Sequence, residues 1–417
     1  MFEATLRYNS PSDKDTIASS TEYLDSLVIP ARMLTANRKA LPSNLQNYAD
    51  EAGVSYYLNP TLSDFRVGDN FRDEKGNIRS WHLKYIEAIG DPLEKLLQNN
   101  SNVSAAHLPP EQIESLTAAS VEFQENFVID QLTEERDRYD PIEDVESYAP
   151  EAVIPWYHKI SQESDLQTND TILSAAVDAS DLPLKPCLFV TPSFIAQETN
   201  PEALADLLLK HDLSECFVWI EDLDKHETAE SHYTHAAELI VELAEAGIAP
   251  HFFYGDYFAM MLSHLGLSGT TYGTMYGEEG GERRERTSGS GVATRYYLDG
   301  VKDFLKPVAA VDVQQRVDAE MCPCDVCSRQ FDDWSDLAEL ANDPEQNVQA
   351  PMKKHHVRVR WHQIRTVESQ LLDETLSELE RDHSKYASAF GRSNQVGQKK
   401  KLDYLLRWKH AIENVTS

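Results

Sequence analysis

Short apolar runs alternate with stretches of helical periodicity through the middle of the chain, and this alternation is its most regular pattern. Pro186 to Thr191 (Pro-Cys-Leu-Phe-Val-Thr) and Cys216 to Ile220 (Cys-Phe-Val-Trp-Ile) read as strands buried on both faces. Pro250 to Tyr254 (Pro-His-Phe-Phe-Tyr) reads as a third. Between them, Pro201 to His211 has the spacing of a helix, with Asn200 as its expected cap and Pro201 in the first turn. Ser231 to Gly247 and Tyr257 to Gly266 each end on a glycine, a common helix stop because glycine tolerates the left-handed backbone found there.

Strand–helix repeats of this length imply parallel strands joined by crossover helices. They fit an open doubly wound sheet or a closed barrel equally well. Earlier in the chain, Val54 to Leu58 reads as a strand and Ala118 to Leu132 as a helix. Near the C-terminus, Val357, Trp361, Ile364, Val367, Leu371, Leu372, Leu376 and Leu379 recur every three or four positions, which predicts one long amphipathic helix over 355–381. Two segments, Asn70 to Arg79 and Gly277 to Gly291, are polar and read as loops. No internal repeat of fixed period is visible.

Charge adds a contrast to this pattern. The 417 residues carry 38 Lys and Arg against 70 Asp and Glu, a net charge of −32, with the acid spread along the whole chain. Such a surface is expected either of a protein that repels nucleic acid or of a halophilic one, in which salt screens the self-repulsion, and acid spread along the whole chain favours the halophilic reading. From Met352 to His410 the balance reverses, with 13 Lys and Arg against 7 Asp and Glu. That basic stripe, with Lys353 and Lys354 at its head, is a candidate phosphate-binding surface or a solvated helix face. Arg283, Arg284 and Arg286 in the Gly-rich loop are further candidates for gripping phosphates.

Cysteine usage is sharper. Three of the 5 cysteines, Cys322, Cys324 and Cys327, fall in Met-Cys-Pro-Cys-Asp-Val-Cys-Ser, and His355 follows in Lys-Lys-His-His. Three thiols and an imidazole are the donor set of a tetrahedral Cys3His zinc site. His356 could serve in place of His355, because rotation of about 100° per helical residue lets only one of the pair face the metal. Cys187 and Cys216 stand alone in apolar runs and read as small core residues. The N-terminus lacks a signal-peptide pattern, and no apolar run nears the roughly 20 residues of a membrane span, so a cytoplasmic protein is expected.

Cys-x-Cys-x-x-Cys followed by a histidine on a long helix resembles the zinc signature of the tRNA-guanine transglycosylases. Gly255 to Gly277 and Tyr296 to Leu305 resemble that family's late barrel and the segment leading to its cysteines. The resemblance covers about residues 250 to 380. It implies a (β/α)8 TIM-type barrel over residues 1–310 and a zinc-binding, basic helical subdomain over 311–417. It also implies a structural Zn2+ and exchange of guanine for a 7-deazaguanine base in nucleic acid, through an aspartate nucleophile and a second aspartate. The chain stops soon after its basic segment, which favours DNA over tRNA as partner. A homodimer and a heterodimer both remain open.

The chain departs from that pattern at the chemistry. Thr271 stands where the family's nucleophile is expected, and Val177-Asp178-Ala-Ser is only a fragment of the second aspartate's motif. Barrel active sites lie at the C-terminal ends of strands. Glu221 and Asp222 after Cys-Phe-Val-Trp-Ile, Asp256 after His-Phe-Phe-Tyr, and Glu278 are therefore the candidate carboxylates. The rival reading is a non-catalytic zinc-containing partner subunit that keeps the fold and has lost the nucleophile.

Overall fold

The computed structural model describes residues 1–136, 144–275, 294–342, 348–393, 396 and 401–417. Seven parallel strands form one curled sheet: β1 (Glu3–Arg7), β2 (Ser26–Pro30), β3 (Ser55–Asn59), β4 (Cys187–Val190), β5 (Glu215–Ile220), β6 (Ala249–Phe252) and β7 (Gly269–Gly273). Their order in the sheet is β3-β2-β1-β7-β6-β5-β4. The first strand thus pairs with both the second and the last, with Thr5 opposite Ser26 on one side and Thr271 on the other.

The gap between β3 and β4 is bridged by an irregular segment. Val153 forms parallel bridges to Leu58 and to Leu184, and Ile160 bridges to Val190. The Glu151 amide donates to the Tyr56 carbonyl at 2.9 Å, and the Val153 amide donates to the Pro183 carbonyl at 2.9 Å. This segment takes the place of an eighth barrel strand, so the architecture is a (β/α)8 TIM-type barrel, as the resemblance implied. Pro150 and Pro155 lie on either side of Val153, and neither can donate to a ladder. The segment therefore carries no strand pattern in sequence, yet its backbone groups find partners on both sides.

Side chains alternate across the strands. Ala4, Leu6, Leu27, Ile29, Val218 and Ile220 point outward into a large core shared with the helices. Val28, Tyr57, Cys187, Phe189, Phe217, Trp219 and Phe253 point inward, where they form a separate cluster with Ala152, Ile154 and Tyr157. The barrel is therefore filled by side chains, mostly aromatic. At the N-terminal end of the strands the filling is polar. Glu3 contacts Ser26 Oγ at 2.5 Å, Lys185 Nζ at 3.3 Å and His251 Nδ1 at 3.4 Å.

After β7 the chain forms an antiparallel hairpin, β8 (Tyr296–Leu298) and β9 (Asp303–Leu305), and then helices. The helix Gln349–Ser369 carries the histidine pair, the helix Leu372–Arg392 follows it, and the helix Tyr404–Thr416 lies last. This last helix returns to the barrel. Trp408 packs edge-on against Tyr233 of the helix Glu230–Glu245, and Arg407 donates to the carbonyls of Thr228 and Lys225. One apolar cluster runs from β1 to Ile412, so the barrel and the C-terminal helices share a core. Among the described residues, no helix is long and apolar enough to cross a membrane.

Several sequence expectations need correction. The single helix expected over 355–381 is two helices, broken where Gln370 and Leu371 adopt extended backbone. Val357, Ile364 and Val367 before the break and Leu376 and Leu379 after it lie in the same core, whereas Leu371 at the break is exposed. His355 lies in the second turn of its helix, not the first, since that helix begins at Gln349. Asn200 does not cap the helix Asn200–Leu209. It is the first helical residue, and its side chain donates to the Phe194 carbonyl at 2.8 Å. The helix expected over 118–132 spans Pro110–Arg136.

Candidate metal centre and barrel mouth

The metal centre is assembled from two sides. Cys324 caps the short helix Asp325–Gln330, and its Sγ accepts a hydrogen bond from the Cys327 amide at 3.4 Å. This turn places Cys322, Cys324 and Cys327 together. The helix Gln349–Ser369 delivers His355 from the other side, with Nδ1 3.4 Å from Cys324 Sγ and 3.3 Å from Cys327 Sγ. All four ligand atoms lie within 4.8 Å of one another, a group that could hold a metal ion. Sulfur and nitrogen bound tetrahedrally to one zinc ion would be about 3.5 Å apart, from bond lengths of about 2.3 and 2.0 Å.

The surroundings suit a ligand set. His355 Nε2 lies 2.8 Å from the Tyr297 carbonyl, which would fix the ring with Nδ1 towards the sulfurs. Tyr296 stacks on the imidazole at 4.3 Å, and its hydroxyl lies 3.6 Å from Cys327 Sγ. His356 points away, with Nδ1 3.0 Å from the Thr274 carbonyl and Nε2 3.1 Å from Arg360 Nε. Of the two histidines that the sequence leaves open, His355 is the one in the cluster.

The first part of the basic stripe, on the helix Gln349–Ser369, is used inside the molecule, whereas Arg381, Lys385, Arg392 and Lys401 are exposed. Lys353 is buried and pairs with Asp13 at 2.7 Å. Arg358 contacts Asp325 and Ser20 at 3.2 and 2.7 Å, and its guanidinium lies 3.8 Å from the centre of the Tyr23 ring. Arg360 is fully buried over Tyr297. These side chains dock helices, so Lys353 is not the exposed phosphate contact that the sequence suggests, and Lys354 is the partly exposed one of the pair. Arg283, Arg284, Arg286 and Glu278, with the whole segment from Gly277 to Gly291, lie outside the described residues.

The candidate carboxylates separate. Glu221, just after β5, pairs with Lys159 at 3.1 Å and is partly buried. Its neighbour Asp222 is exposed, in the left-handed backbone region with φ of +53°. Asp256 is buried and caps the helix Tyr257–Met261, accepting from the Phe258 amide at 2.9 Å. Burial pushes its pKa up, against the pull of Lys225 and Arg360. Thr271 faces the barrel interior, with Oγ1 3.1 Å from His251 Nε2, and Asp178 is exposed on the helix Ser164–Ala179.

Around Glu221 the mouth is aromatic. Phe189 and Trp219 stack with centroids 3.8 Å apart, and Tyr254 lies 4.9 Å from Trp219. The Arg7 guanidinium sits 3.5 Å from the centre of the Tyr254 ring, and the Tyr157 hydroxyl donates to Asn59 Oδ1 at 3.1 Å. Sequence patterns do not single out Arg7, Asn59, Tyr157 or Lys159. Asn59 ends a strand that is legible in the sequence, so its strand-end position could have flagged it. Lys159 follows the irregular segment and carries no such signal.

No protein-family model and no curated protein matches the chain. Distant likenesses exist among solved structures. A provisionally assigned fructose-1,6-biphosphate aldolase from Coccidioides immitis is 7% identical, covering 93% of this chain and 91% of that one, with a TM-score of 0.33. A 3-dehydroquinate dehydratase from Enterococcus faecalis is 9% identical over 66% and 90%, with a TM-score of 0.31. The xylanase Xyn30A from Clostridium acetobutylicum is 11% identical over 69% and 67%, with a TM-score of 0.34. Likenesses this distant assign no activity, and the fold rests on the strand pairing described above.

Proposed function

We propose that the chain is a zinc-bound barrel of the guanine-transglycosylase type that exchanges a base in nucleic acid, DNA before tRNA, with Glu221 as the working carboxylate. The observation that carries this reading is the Lys159–Glu221 pair at the strand-end mouth, beside Trp219, Tyr254 and Arg7. Base exchange passes through an oxocarbenium-like sugar, which a carboxylate stabilises. Aromatic faces suit a planar base. Four protein ligands leave zinc no open position, so its part is structural.

The test is incorporation of labelled guanine or a 7-deazaguanine into DNA and tRNA by metal-loaded protein. Glu221→Gln should lower incorporation at least ~100-fold with metal content unchanged, the scale of losing a group that acts in the transition state. A second reading, the non-catalytic partner subunit, is favoured by Thr271, whose hydroxyl is held against His251 inside the barrel. Absence of incorporation into either nucleic acid by folded, metal-loaded chain would favour that reading.

A further inference from the structure

Between the hairpin and the helix Leu372–Arg392 lies a cavity of about 370 Å³, lined by none of the residues of the barrel mouth but bordered at one end by Cys322 and His355 of the candidate metal centre. This is within the roughly 300–1,000 Å³ of small-molecule sites. Lys302 stands at its centre of charge, almost wholly buried, with Nζ 2.9 Å from Asp299, 3.3 Å from Glu378 and 3.3 Å from Asp382. Glu378 and Asp382 lie one helical turn apart, so both reach the same ammonium. Three carboxylates thus share one lysine. The neighbouring Lys385 directs its ammonium over the Tyr386 ring, 5.1 Å from its centre. Lys302 also holds a left-handed backbone, with φ of +49°, a strained conformation for a lysine that recurs at ligand sites.

A second observation is independent of the acidic cluster. Gln314, 6% exposed, lines the same cavity, and its Oε1 has no hydrogen-bond partner. A buried acceptor without a donor is costly, because it has given up its hydrogen bonds to water and gained none. The cavity therefore combines excess negative charge with an unanswered acceptor. Both call for a ligand that brings positive charge and N–H donors.

We propose that this cavity binds a small organic ammonium ion, such as a primary amine or diamine, whose N–H groups reach Asp382 and Gln314 Oε1. The tyrosine rings of the wall suit its methylene carbons.

The test is calorimetric titration of the full metal-loaded chain with putrescine, with tetramethylammonium as a cation lacking N–H donors and KCl as an inorganic one. Putrescine should bind one to one in the submillimolar range. Asp382→Asn and Gln314→Met should each weaken it at least ~10-fold, the scale of losing one hydrogen bond to a charged group. Glu87→Gln, in a different cavity, should leave it unchanged. Metal content and melting temperature establish that each variant is folded. Absence of saturable binding, equal binding of tetramethylammonium, or occupation by potassium in place of putrescine would each overturn the proposal. So would undiminished putrescine binding in the two folded cavity variants.

Discussion

Single residues decide how the polar groups of the barrel are satisfied. Glu3, at the bottom of the barrel, is partly buried, which alone would raise its pKa. The hydrogen bond and charge of His251, with Lys185 and Ser26, outweigh burial and hold the carboxyl well below its usual value of 4.5. A folded pKa below the unfolded one means that the protonated form favours unfolding. Stability from Glu3 is therefore present above about pH 4.5 and is lost as pH falls below it. Burial lowers the His251 pKa below 6.5, against Glu3, so its contribution is likewise lost as pH falls below that value. Glu3→Gln should flatten the decline in stability below about pH 4.5, as followed by denaturant midpoints across pH. An unchanged acid slope would show that Glu3 does not carry it. None of these partners is near Glu3 in sequence, so the network is not legible in the chain.

At the scale of elements, hydrophobic periodicity is a good guide to type and a poorer guide to limits. Strands β4, β5 and β6 follow the apolar runs because both faces of each strand are buried. The first strand is harder to see because it alternates Glu, Thr and Arg inward with Ala and Leu outward, a pattern that only closure of the barrel explains. The long C-terminal pattern suggests one helix because a shared core sustains it on either side of the break at Gln370 and Leu371. The hairpin and the helix Leu372–Arg392 are fitted closely at Gly300, where an added Cβ would run into the Tyr386 ring. Gly300→Ala should therefore cost about 1–3 kcal/mol of stability by overpacking. Chemical denaturation would measure the loss, and an unaltered midpoint would show that the ring yields freely.

For the whole molecule, a metal ion held by the cysteine cluster would work as a clamp. It would join the helix Asp325–Gln330 to the helix Gln349–Ser369, whose buried Lys353, Arg358 and Arg360 reach back to the barrel and the hairpin. Metal binding to such a set is folding free energy. Removing the metal with a chelator should lower the melting temperature by several degrees, each kcal/mol being worth less than the roughly 2–4 °C typical of domains of about 150–250 residues. Because one apolar cluster spans both parts, the loss should appear as a shift of a single transition rather than a separate early one. Scanning calorimetry with and without chelator distinguishes the two, and recovery on adding zinc confirms the metal.

The donor set of the metal centre is legible in the chain alone, because three thiols within six residues need only local turns to converge. The repeating strand–helix order is legible for the same reason: periodicity is a local property. Folding in three dimensions settles the rest. It chooses which histidine faces the sulfurs, which carboxylate stands at the mouth with a lysine beside it, and where the basic side chains go. Those choices depend on contacts between residues far apart in the chain. The Lys353–Asp13 pair is the plainest case: it joins positions 340 residues apart, and it turns a lysine at the head of the basic stripe into internal stitching of the fold.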